Sequence, residues 1–94
     1  MNIDQAIKIA RREVKDINAL TYLNAIPRAI EEYGLEGFQT QLLYILSNLG
    51  NYKGETAREV KLTIKMWLRE YDKKQKRKSL KKTFTFSLLL LAIM

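Results

Sequence analysis

The first apolar rhythm in the chain runs Ile3, Ile7, Ala10, Val14 and Ile17, at spacings of 4, 3, 4 and 3. That is one face of an α-helix. It predicts a helix from residue 3 through 17, ending between Asp16 and Asn24. Asn2 followed by Gln5 has the form of a capping box and would start it. Pro27 steers Ile26 away from helical geometry and suits the first turn of a new helix. A short helix is expected over 27–33, with Gly34 as its left-handed terminator. Residues 36–49 include Leu42, Leu43, Tyr44, Ile45 and Leu46 in unbroken succession. A helix apolar on every side belongs in the middle of a bundle, so 36–49 is expected to be the central helix, closed by Gly50. Asn51 to Gly54 make a turn. From Glu55 to Tyr71 the helical period returns, with Ala57, Val60, Ile64, Trp67, Leu68 and Tyr71 on one face.

The expected fold is therefore all-α, a compact bundle of three or four helices. Its core is expected to hold Ile7, Val14, Ile30, Leu42, Ile45, Leu46, Val60, Ile64 and Trp67. Past Asp72 the pattern changes twice. Residues 73–82, KKQKRKSLKK, are a solvated basic run, and residues 83–94, TFTFSLLLLAIM, carry no charge. This divides the chain into a helical domain, 1–72, and a basic then apolar tail, 73–94. TFTFSL also alternates with period two, so a strand there stays open. Twelve helical residues reach roughly 18 Å against about 30 Å of hydrocarbon, too short to cross a bilayer. The readings for 83–94 are packing in the fold, packing in an oligomer, lying on a membrane surface, or a non-native end.

Charge sharpens this division. The net charge is +7, yet residues 1–72 hold ten Lys/Arg and ten Asp/Glu. The whole excess lies in Lys73, Lys74, Lys76, Arg77, Lys78, Lys81 and Lys82. Three readings fit the run: phosphate contacts with nucleic acid, an anionic membrane surface, or solubility alone. Phe84 and Phe86 follow the charges instead of alternating with them, unlike a stacking single-strand binder. The N-terminal MNIDQAIKIARREVK lacks the apolar h-region of a secretory signal. A cytoplasmic location is expected, with peripheral membrane attachment through the tail as the alternative.

Candidate chemistry is sparse. With no Cys and no His, disulfides, thiolate nucleophiles and sulfur-ligated zinc are excluded, and the commonest general base is missing. Glu31 and Glu32 are adjacent, so on a helix they diverge by about 100°. Glu55 and Glu59 share a face, but Arg58 and Lys61 beside them make a salt-bridged surface the simpler reading. Lys53-Gly54-Glu55-Thr56 lacks the upstream glycine and strand of a phosphate loop. No catalytic residue, cofactor or metal ligand is expected, and the chain reads as non-enzymatic.

Binding is the remaining class. Ala29, Tyr33, Gly34, Leu35 and Leu43 roughly match the apolar and glycine positions of a helix-turn-helix, with Gln39, Thr40 and Gln41 opening its second helix. Between Arg28 and Lys53, however, there is no basic residue to meet phosphates, and Thr40 falls at a packing position. A helical hairpin is the better reading. Lys8, Arg11, Arg12 and Lys15 form one basic stripe, and Arg58, Lys61, Lys65 and Arg69 another. They would make one positive surface if their helices lie side by side, or two solvated faces balanced by neighbouring acids. Leu62 and Met66, at i, i+4, widen the apolar arc of their helix beyond its core face, which marks them as a candidate protein interface unless the tail or the first helix covers them.

The stretch 46–61, LSNLGNYKGETAREVK, resembles a segment of short uncharacterised accessory proteins of Gram-positive bacteriophages and integrated mobile elements. The resemblance covers about a sixth of the chain and implies an accessory protein that inhibits or redirects a host nucleic-acid enzyme. The leading expectation is thus a small module that binds a protein partner or itself. A nucleic-acid-binding accessory protein and a membrane-surface protein are the alternatives.

Overall fold

The structure, a computed structural model, describes the backbone of residues 1–93 and the side chains of residues 1–75. Four helices make up the described regular structure: α1 (Ile3–Glu13), α2 (Ile17–Asn24), α3 (Ile26–Ser47) and α4 (Glu55–Ile93). The expected all-α helical bundle is the fold observed. The readings of 76–94, including Lys76, Arg77, Lys78, Lys81, Lys82 and the apolar segment, concern side chains outside the described residues.

The capping box forms as expected. Asn2 Oδ1 accepts the Gln5 N–H and Gln5 Oε1 accepts the Asn2 N–H, both at 2.9 Å. The far end of α1 corrects the sequence reading. The helix stops at Glu13, and Val14 is extended (φ −69°, ψ 131°) though its side chain stays buried. Asp16 then caps a separate helix by accepting the Ala19 N–H at 2.9 Å. Ile17 consequently begins α2 and is 77% exposed, not part of the α1 face.

Pro27 lies in the first turn of α3 as expected, but Ile26 is helical and buried. The restriction on a pre-proline residue is overridden here by burial in the core. Gly34 breaks α3 with φ 64° and ψ −144°, a backbone state open to glycine and costly for other residues. The helix resumes at once, giving an elbow between limbs 26–33 and 35–47 instead of a turn. At Gly37, a Cβ would stand 2.3 Å from the Ala29 carbonyl oxygen, so the two limbs meet backbone to backbone.

No helix is central. α1 packs on α2 and α4, and α3 packs on the same two, while α1 and α3 have no close backbone approach. The helices close a ring around Ile7, Leu23, Leu42, Ile45, Val60 and Ile64. The expectation for 36–49 is corrected accordingly: Leu42 and Ile45 are buried, but Leu43 and Tyr44 are about half exposed, Tyr44 stacking on Tyr22 of α2 with ring centroids 5.2 Å apart. Ile30, expected in the core, is 42% exposed and lines a surface groove with Ile7, Lys8 and Arg11 of α1. Leu46 and Trp67 are half-buried against the core instead of within it. Trp67 stacks on Tyr71 and meets Phe38 edge-on, with centroids 5.2 and 4.8 Å apart.

Candidate binding surface

α4 begins at a sharp turn. Gly54 has φ 119° and its carbonyl accepts the Arg58 N–H at 3.0 Å. Glu55 in the first turn complements the helix dipole. The inward face is filled by Ala57, Val60 and Ile64, all essentially inaccessible. Leu62 and Met66 therefore point elsewhere, and they are 55% and 58% exposed. Neither α1 nor any other described residue covers them.

Cations stand beside Leu62. Lys53, Arg58, Lys61, Leu62 and Lys65 line a groove of about 600 Å³ together with Tyr52 and Gly54. Arg58 and Lys65 are exposed and Lys61 is half-buried. Arg69 is exposed further along α4 and does not line the groove. Lys73 is exposed in an ion pair with Glu70 at 3.8 Å, and Lys74 is exposed. The stripe is thus real on Arg58, Lys61 and Lys65, with an apolar centre.

Tyr52 braces this groove. Its hydroxyl donates to Glu13 Oε2 at the end of α1. Burial, the hydrogen bond to Glu13 and that carboxylate's charge push the phenol up to about 12, with Arg12 pulling weakly the other way. The sequence placed Tyr52 in a turn and missed this tie across 39 residues; no local pattern signals it.

The first basic stripe is divided: Lys15 lies with Tyr52 and Lys53 in a groove that adjoins the one on α4. Lys8 and Arg11 line a different groove, with Ile7, Ile26, Ile30 and Leu35. Arg11 is structural, its guanidinium donating to the Leu23 carbonyl near the end of α2 at 3.1 Å. The helix-turn-helix reading fails on packing. Tyr33 and Leu35 are 70% and 62% exposed and Leu43 is also outside, so of the apolar positions that would pack such a motif only Ala29 is buried. Thr40 is exposed and donates to the Glu36 carbonyl at 3.0 Å.

Sequence reasoning missed a second concavity, in the α3 elbow. It holds about 420 Å³ and includes Ala29, Glu32, Tyr33, Glu36, Gly37 and Gln41 in its lining. Gln41 Oε1 is buried with no hydrogen-bond partner among the described residues, a loss worth about 1–3 kcal/mol. The available signal was the 24-residue stretch 29–52 with three glutamates and no Lys or Arg.

Among the described residues, no three acidic side chains gather where they could hold a metal ion. No helix among them is long and apolar enough to cross a membrane. No family model, curated protein or solved structure matches the chain.

Proposed function

We propose that this chain is a non-enzymatic binding module of phage or mobile-element type, working through the α4 face centred on Leu62 and Met66. The observation that carries the reading is the exposure of this pair, 55% and 58%, on a helix whose core face is already filled. Arg58, Lys61 and Lys65, which line a groove with Leu62, favour a partner that presents an apolar patch rimmed by Asp or Glu. Such a surface draws affinity from the desolvated centre and orientation from the charged rim. The 46–61 resemblance lends support, since Tyr52, Lys53, Gly54, Arg58 and Lys61 of the groove all fall within it. Inhibition of a host nucleic-acid enzyme is the form of action this resemblance suggests.

The test is a quantitative pull-down comparing the wild type with Leu62→Asp and Met66→Asp, each checked for unchanged helicity. Both positions are exposed, so folding should survive. Loss of the same captured protein in both variants is expected. A partner retained at wild-type level by both would sink the reading.

A groove with four cations favours one second reading, contact with a nucleic-acid backbone through Lys53, Arg58, Lys61 and Lys65. In that case affinity falls steeply with salt for any sequence, and Leu62→Asp weakens it less than Lys61→Glu does.

A further inference from the structure

Arg58, Lys61 and Lys65 recur on α4 at i, i+3 and i+7, and Lys53 joins them in the groove beside Leu62. Among the described residues none of these four cations is in an ion pair. Glu55 and Glu59 stand close by in the sequence and do not neutralise them. A helix turns about 100° per residue, so Arg58, Lys61 and Lys65 fall on one flank of Leu62. Met66 lies beyond Leu62 on the other side, and Glu59 and Glu70 lie beyond Met66, all of them exposed. Away from its core face, α4 therefore presents three parallel strips, one basic, one apolar and one acidic.

This layout separates the ligands that four free cations could attract. Phosphates of a nucleic acid laid on the basic strip would carry the rest of the polyanion over Leu62, Met66 and the repelling Glu59. An extended peptide finds no backbone to pair with, because the N–H and C=O groups of α4 are spent within the helix. A helix keeps its own backbone satisfied, and its side chains advance by the same rise of about 1.5 Å per residue as those of α4. Carboxylates at i, i+3 or i+4, and i+7 on such a helix keep step with Arg58, Lys61 and Lys65 over roughly 10 Å. We propose that the α4 groove receives an amphipathic α-helix of a protein partner, laid along α4, with its apolar edge on Leu62 and Met66 and an acidic flank over Lys53, Arg58, Lys61 and Lys65. This rests on the reading of α4 as the binding face, and adds the form of the partner and the side on which its charge lies. Leu62 and Met66 supply the desolvated centre of the contact, and the cations fix its register.

Fluorescence anisotropy of the full chain with synthetic peptides of about twenty residues, long enough to be helical, tests this. One peptide carries leucines along one face and glutamates on one flank. A second differs by prolines at two central positions, which break the helix and keep the charge. A dT oligonucleotide of equal charge is the third probe. The helical peptide should bind at least about tenfold more tightly than the proline peptide. The double variant Arg58→Glu, Lys65→Glu changes two exposed positions, and circular dichroism checks that it keeps the wild-type helicity. It should bind the helical peptide about a hundredfold less tightly, and Leu62→Asp should weaken binding as well. A peptide with lysine in place of each glutamate should bind the double variant and not the wild type. Equal binding of the helical and proline peptides overturns the proposal. Binding that the double variant retains overturns it too, and assigns the peptide to the basic run 73–82. So does tighter binding of the oligonucleotide, or a wild type that self-associates through the same residues and excludes the peptide. If the peptides fail while Leu62→Asp and Met66→Asp still lose their captured protein, the helix is wrong and the face stands; if both fail, the face is wrong as well.

Discussion

Two glycines set the shape of α3, for different physical reasons. Gly34 has φ 64° and ψ −144°, and a Cβ there would meet nothing within 4 Å. Its demand is purely on the backbone. Gly37 is helical, but a Cβ would meet the Ala29 oxygen at 2.3 Å and the Tyr33 Cβ at 2.9 Å. Its demand is for space, against backbone that cannot swing aside. Gly37→Ala should therefore cost about 2–3 kcal/mol through overpacking, and Gly34→Ala about 1–2 kcal/mol through strain. Urea unfolding midpoints measure both, and a Gly37→Ala variant as stable as wild type would contradict the close approach of the limbs. Gly34 was legible in the sequence because it follows a helical run. Gly37 was not, because its clash involves a residue eight positions away that only the bend brings near.

The element that a pattern reading misjudges is the junction of α1 and α2. Ile3, Ile7, Ala10, Val14 and Ile17 keep helical spacing across a real break. Periodicity sees only which residues are apolar, whereas the break is made by a polar one. Asp16 competes for backbone N–H groups and wins Ala19, starting a new helix. The signal was present, an Asp at the head of 17–24, but the apolar rhythm outweighed it. With eight residues α2 is too short to persist alone, so its ends matter: Asp16 holds one and Arg11 the other. Asp16→Ala should cost about 1 kcal/mol, and Asp16→Asn only a small part of that. Thermal unfolding of the two variants provides the comparison, and equal losses would mean that the cap is not what starts α2. The same blindness explains residues 36–49. Five apolar residues in a row imply burial on all sides, but α3 packs on α2 and α4 and not on α1, and Leu43 and Tyr44 stay about half exposed.

At the scale of the whole molecule, the helical class and the apolar face of α4 could be read from spacing, whereas the exposure of Leu62 and Met66 could not, because spacing left open whether α1 or residues 83–94 cover them. The ring arrangement and the long-range ties could not, because they join residues far apart in the chain. The tie between Tyr52 and Glu13 is the clearest of these, clipping the end of α1 to the turn that launches α4. It also makes stability depend on alkaline pH in a definite direction. An unfolded tyrosine titrates near 10, whereas in the fold Tyr52 is raised to about 12. Between those values the folded chain binds the more protons, so stability falls as pH rises. The contribution is whole below pH 10 and is lost on the way to 12. The comparison that isolates this hydroxyl is the wild type against Tyr52→Phe, which lacks only that group. Below pH 10 the variant should be less stable, by about 1 kcal/mol for the lost hydrogen bond. Above pH 10 the gap should close, because a phenolate beside the Glu13 carboxylate would repel it. Urea midpoints at a series of pH values give the result. A gap that stayed constant through pH 11 would show that the hydroxyl does not join α1 to the turn.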